Sequence, residues 1–74
     1  MAIYVVRHAK AGERRVWSGD DIDRPLSKTG WTQSHALATR LSTCKPSTLL
    51  SSPYVRCIQT LEPLAELTSL DITI

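Results

Sequence analysis

The chain has 74 residues, of which 42% are hydrophobic and 22% charged, and its formal net charge is +2. These values are ordinary for a globular protein and do not suggest disorder, and the scattered basic residues argue against a binder of nucleic-acid polymers. No apolar run approaches the roughly 18 residues of a membrane helix. Arg7 places a charge where a secretory signal peptide would need its apolar stretch. A cytoplasmic protein without membrane contact is therefore expected.

The first predicted element is a strand from Ala2 to Val6, a continuously apolar run rich in β-branched residues. The run stops at Arg7. Residues 10–24 combine two glycines with many charged side chains, which predicts a polar loop.

A first helix is predicted from the Ser27 N-cap to about Ser42. Small and apolar residues recur along it at helical spacing, and these are Gly30, Ser34, Leu37, Ala38 and Leu41. Lys45 and Pro46 then break the pattern.

Thr48 to Ser51 is the second predicted strand. Ser52 is placed as the N-cap of a second helix, with Pro53 at the first helical position, where its missing N–H costs nothing. The apolar side of this helix comprises Val55, Ile58 and Leu61, and it resumes over Leu64 to Leu67. Pro63 is expected to end or kink the helix between those parts.

Leu70 to Ile74 is the third predicted strand. The order strand, helix, strand, helix, strand predicts an α/β fold with a mainly parallel sheet and right-handed crossovers. Residues 1–74 are interpreted as one partial domain interrupted after its third strand. An uncovered sheet edge of this kind favours self-association.

Ligands of open parallel sheets bind beyond the carboxyl ends of the strands. Arg7 and His8 follow the first predicted strand, and Ser51, Ser52 and Arg56 follow the second. Two guanidiniums beside a helix N-terminus make a phosphate pocket, in which a neutral imidazole can attack phosphorus without a metal or cofactor. The plainer alternative is a solvated strand end and a surface arginine.

Other polar residues have structural interpretations. Cys44 and Cys57 are too few for a disulfide framework, show no zinc-ligand spacing with the histidines, and are expected to be free thiols. The loop carboxylates could serve as proton donors, but solvation or pairing with Arg14, Arg15 and Arg24 is favoured. Those carboxylates are Asp20, Asp21 and Asp23.

Three blocks of residues resemble the histidine phosphatase superfamily, also called phosphoglycerate-mutase-like. The blocks are Val5 to Lys10, then Arg24 to Ser27 with Gly30 and Gln33, and then Ser51 to Pro53 with Arg56, Gln59 and Thr60. Ala9 and Lys10 are similar to the short bacterial phosphohistidine phosphatase (SixA-like) branch. Gly19 to Asp21 and Arg56 to Ala65 are similar to the phosphatase domain fused to actinobacterial Nudix hydrolases.

The resemblance implies the N-terminal half of a three-layer α/β/α fold, with His8 as the phosphorylated nucleophile and Arg7 and Arg56 as catalytic phosphate ligands. Ser52 is assigned to the same phosphate subsite. The implied substrate is a phosphorylated small molecule or a phosphoprotein: a phosphohistidine, a nucleotide or a small phosphoester.

The family also implies a second pocket histidine and a carboxylate proton donor farther along the chain. His35 lies inside the first helix and does not match that histidine. The 74-residue chain is therefore expected to be inactive or strongly impaired. The alternative is a phosphate-binding or regulatory fragment without turnover.

Overall fold

The computed structural model describes residues 3–74. Its helices are α1 (Lys28–Ser42) and α2 (Val55–Thr68), its strands are β1 (Leu49–Leu50) and β2 (Ile72–Thr73), and a 3-10 turn occupies Asp21–Asp23. No helix within this described range is long and apolar enough to cross a membrane.

Helix α1 begins and ends where the sequence predicts. The Ser27 hydroxyl accepts the Gly30 N–H at 3.1 Å, which satisfies one of the free amides of the first turn. The predicted small-residue face is the buried one, with Gly30, Ser34 and Ala38 inside. After the helix, Lys45 adopts a φ of 50°, which turns the chain toward β1.

Strands β1 and β2 pair in parallel, with Leu49 opposite Ile72 and Leu50 opposite Thr73. Helix α2 provides the connection between them, so the predicted parallel strand–helix–strand unit is confirmed. The core beneath it is small and is centred on Ala38, Leu49 and Leu64.

The first predicted strand is not formed over Ile3 to Val6, the part of it that the structure describes. Ala2 lies outside the described residues, and Ile3 to Val6 is not assigned to a strand. The side chains of Ile3 and Val5 are 85% and 95% exposed, and within residues 3–74 no backbone hydrogen bond pairs this segment with β1. A strand requires ladder hydrogen bonds to a neighbour, and here a cleft lies between the segment and β1. Its apolar composition indicated strand propensity without specifying a partner.

Helix α2 begins later than predicted. Its N-cap is Tyr54, in place of Ser52, and its first residue is Val55, in place of Pro53. The Tyr54 carbonyl accepts the N–H groups of Cys57 and Ile58 at 2.9 and 3.1 Å, and these bonds start the first turn.

Pro63 does not end α2, which continues to Thr68. Proline removes one intrahelical hydrogen bond, but Pro63 and Leu64 are both buried inside the fold. Tertiary packing therefore outweighs the local helix-breaking preference of Pro63.

Candidate active site

Backbone hydrogen bonds hold the segment that follows His8. The Ala9 N–H donates to the Thr60 hydroxyl and the Lys10 N–H to the Gln33 side-chain carbonyl, each at 2.9 Å. The Lys10 carbonyl accepts the Ser27 N–H, also at 2.9 Å. The segment is therefore attached to α2, to α1 and to the α1 N-cap through its main chain.

Thr60 connects the backbone beside His8 to the backbone of Arg56. Thr60 is only 3% exposed, and its hydroxyl donates to the Arg56 carbonyl at 2.6 Å. The same oxygen accepts the Ala9 N–H. His8 is thus adjacent to the turn of α2 that begins at Arg56.

The His8 ring is half-buried, and its orientation is set by its neighbour. Nδ1 lies 2.7 Å from the Ala9 carbonyl oxygen. A carbonyl oxygen can only accept, so Nδ1 is the protonated nitrogen. In the neutral ring the lone pair is then on Nε2, which is free to act as a nucleophile.

A cleft of about 780 Å³ lies beside His8. Ser51, Ser52 and Cys57 line it together with His8, whereas the predicted phosphate ligands Arg7 and Arg56 are not among its lining residues. Ser51 also extends the sheet by donating its N–H to the Thr73 carbonyl at 2.8 Å. The cleft therefore opens at the end of β1, where the sequence places the phosphate site.

Arg56 is held by the polar loop. Its side chain is 11% exposed, Nη1 donates to the Asp21 carbonyl at 2.9 Å, and Nη2 donates to Asp21 Oδ2 at 3.0 Å. The guanidinium also lies 4.6 Å from the centre of the Tyr54 ring, a cation–π distance. Its orientation is restrained by three contacts.

Asp21 joins two arginines. Arg24 Nε donates to Oδ1 at 3.0 Å, and Arg24 is itself buried and bonded to the Gly12 carbonyl. The hydrogen bond from Arg24, followed by that from Arg56, holds the pKa of the Asp21 carboxyl below its ordinary value. Arg14 approaches the same carboxylate at 3.9 Å. The predicted pairing of loop carboxylates with Arg14 and Arg24 is confirmed for Asp21.

The remaining candidates lie apart from these contacts. Arg7 is exposed and makes no hydrogen bond or ion pair with the residues that the structure describes. His35 lies on α1 with its ring centre 6.4 Å from that of Trp31, and it does not line the cleft. Cys44 and Cys57 are free thiols, as predicted.

Sequence reasoning missed the roles of Thr60 and of the Asp21–Arg56 contact. The sequence did contain a signal for the role of Thr60, because Thr60 is a polar residue in an otherwise apolar stripe of α2. That stripe, at spacings of three and four, comprises Cys57, Thr60, Leu61 and Leu64, and all four line the cleft. A hydroxyl at such a position needs a buried partner.

Comparison with known proteins finds the same fold and related sequences. Residues 3–74 match the family described as the histidine phosphatase superfamily (branch 1). The 8-oxo-(d)GTP phosphatase of Mycolicibacterium smegmatis is 47% identical over 64 residues, which cover 86% of this chain and 20% of that protein.

Two solved structures are similar in backbone as well as sequence. The putative phosphohistidine phosphatase SixA from Agrobacterium tumefaciens has a TM-score of 0.79 and 30% identity, covering 92% of this chain and 46% of that one. A protein histidine phosphatase SixA complexed with tungstate has a TM-score of 0.72 and 28% identity, covering 90% of this chain and 44% of that one. The chain thus spans under half the length of these relatives.

Proposed function

The chain belongs to the histidine phosphatase superfamily, and on that premise we propose that it carries the phosphoryl-accepting half of a phosphatase site with His8 as the nucleophile. In the first step, His8 Nε2 forms a bond to phosphorus as the bond from phosphorus to the leaving oxygen breaks, and that oxygen takes up a proton. In the second step, water attacks the phosphohistidine, which releases orthophosphate and restores Nε2.

The observation that carries this proposal is the hydrogen bond between His8 Nδ1 and the Ala9 carbonyl. It favours the tautomer whose Nε2 lone pair can attack, and it stops the ring from rotating freely. A solvated histidine at a strand end needs neither property. The orientation therefore supports nucleophilic chemistry over the plainer alternative.

Arg7, Arg56 and Ser52 are the proposed phosphate ligands. A guanidinium has five N–H donors, and Arg56 uses two of them on Asp21, so three remain for an oxyanion. Arg7 immediately precedes His8, and its whole guanidinium is available to bind an oxyanion. Ser52 lines the cleft just before the N-terminus of α2, whose dipole favours an anion.

A nucleotide is the first substrate class to test. The relative named as an 8-oxo-(d)GTP phosphatase is 47% identical, whereas the phosphohistidine phosphatase structures are 28% and 30% identical. The higher identity favours a nucleoside phosphate, and a phosphohistidine-bearing protein is the second class.

The decisive experiment compares the unmodified chain with His8→Ala and with His35→Ala. His35 provides a matched control, since it is the other histidine and lies away from the cleft. Tungstate binding is measured by titration calorimetry, and release of phosphate is measured from p-nitrophenyl phosphate and from a nucleoside triphosphate.

The proposal expects tungstate binding, and any turnover that the chain retains, to depend on His8 and not on His35. Turnover that survives in His8→Ala would overturn it. Tungstate binding without turnover in the unmodified chain would identify the phosphate-binding fragment in place of the enzyme.

A further inference from the structure

The proposed phosphate ligand Arg56 is held by Asp21, to which the family resemblance assigned no role. We propose that Asp21 is a positioning residue, which orients the Arg56 guanidinium toward an oxyanion beside His8. This inference rests on the proposed function, because it concerns the same phosphate site.

The geometry is that of a two-point clamp. Asp21 accepts from Nη1 through its backbone carbonyl and from Nη2 through Oδ2. The Tyr54 ring lies against the same guanidinium at 4.6 Å. Rotation of the guanidinium would break both hydrogen bonds, so its three remaining donors keep a fixed direction.

Asp21 is itself fixed in place. Its other carboxylate oxygen accepts from Arg24 Nε at 3.0 Å, and its carbonyl accepts the Arg24 N–H at 3.1 Å within the 3-10 turn. Arg24 is buried and anchored on the Gly12 carbonyl. The clamp is therefore built on a rigid support, as positioning of a ligand requires.

The charge and the geometry of Asp21 have opposite effects on anion binding. A carboxylate near a phosphate repels it, so removal of the charge alone strengthens binding. Weakening of the bond from Nη2 to Oδ2 leaves Arg56 held by the backbone carbonyl alone, which loosens the guanidinium and weakens binding. The sign of the change on substitution therefore separates positioning from simple electrostatics.

The test measures tungstate affinity by titration calorimetry on the full chain and on Asp21→Asn, Asp23→Asn, Arg56→Ala and the double variant Asp21→Asn/Arg56→Ala. Asp23→Asn is the matched control. It removes one carboxylate charge from the same turn, and among the described residues the Asp23 side chain makes no ion pair with an arginine. Circular dichroism verifies that each variant is folded.

We expect Asp21→Asn to bind tungstate about tenfold more weakly, which is the effect of weakening about one hydrogen bond. Asp23→Asn is expected to bind equally well or better. In the Arg56→Ala background, Asp21→Asn is expected to cause no further loss, since the effect passes through Arg56.

Affinity of Asp21→Asn equal to or above that of the unmodified chain overturns the inference. The inference is also overturned if Asp21→Asn lowers tungstate affinity just as much in the Arg56→Ala background. A merely structural role for Asp21 would produce that result. Failure of the unmodified chain to bind tungstate overturns the proposed function and this inference together. That outcome is recognisable because the unmodified chain and all the variants then show no binding.

Asp21→Glu covers the case in which Asp21→Asn does not fold. It keeps the charge and moves the carboxylate by one methylene. Weaker tungstate binding that disappears in the Arg56→Ala background supports positioning, and unchanged binding contradicts it.

Discussion

The Thr60 hydroxyl accepts the Ala9 N–H at 2.9 Å across 51 positions of sequence. Because Thr60 is 3% exposed, this bond is shielded from water. It fixes the main chain next to His8 against α2, alongside the bonds that Lys10 makes to Gln33 and Ser27.

Thr60→Val removes that hydroxyl with little change of shape. The Ala9 N–H loses its partner, and an unsatisfied buried donor costs about 1–3 kcal/mol in the free energy of unfolding. Urea denaturation measures the loss, and tungstate titration is expected to show weaker binding. Thr68→Val is the control, because the Thr68 hydroxyl donates only within α2, to the Leu64 carbonyl. Equal effects of the two substitutions would contradict the tether.

Arg7→Ala and Arg56→Ala are expected to differ in their effect on stability. Both lower tungstate affinity by about 10- to 100-fold, the range for hydrogen bonds to charged groups. Arg56→Ala also lowers the urea midpoint, since Arg56 bonds to Asp21. Arg7→Ala leaves the midpoint unchanged, because Arg7 has no such contact among the described residues. A large loss of stability in Arg7→Ala would show that Arg7 is structural.

Asp21 makes stability depend on pH in the acidic range. Hydrogen bonds from Arg24 and then Arg56 lower the pKa of its carboxyl below the ordinary value of 3.8. A lowered pKa means that the contribution is complete above that value and is lost as pH falls through the folded-state pKa. The difference in unfolding free energy between the unmodified chain and Asp21→Asn is therefore expected to be constant near neutral pH and to shrink in acid. A difference that stays constant down to pH 2 would contradict the ion pairs.

Gly30→Ala tests the contact between α1 and the segment after His8. A Cβ at Gly30 would lie 2.0 Å from the Lys10 carbonyl oxygen and 2.9 Å from its carbon, and neither backbone atom can move aside freely. Overpacking of this kind costs about 1–3 kcal/mol, which exceeds the roughly 1 kcal/mol that alanine contributes as a helix former. In Gly12→Ala the nearest atom is 3.8 Å away, so little change is expected. Thermal unfolding measures both, and a stabilised Gly30→Ala would contradict the close approach.

Local signals predicted the elements that depend on local interactions. Helix α1 follows from the Ser27 cap and from a face of small residues, and both act within a few positions of the chain. The first strand and the start of α2 could not be predicted in the same way. Whether Ile3 to Val6 forms a ladder depends on a neighbouring strand. Helix α2 starts at the Tyr54 carbonyl, although Ser52 and Pro53 carry the stronger local signals for a helix start.

The candidate site shows the same division. A general rule about strand ends predicted that Ser51 and Ser52 converge with His8, and all three line one cleft although the strand before His8 is not formed. The partner of Arg56 did not, because Asp21 is 35 positions away and the loop offers other carboxylates of identical chemistry. Only the folded loop distinguishes among them.

The segment beside His8 is attached through main-chain atoms of residues 9, 10 and 12. Main-chain atoms are common to nearly all amino acids, so the side chains of Lys10 and Ala11 are not needed to position His8. Evolution or laboratory mutagenesis can therefore vary those side chains while His8 stays where it is.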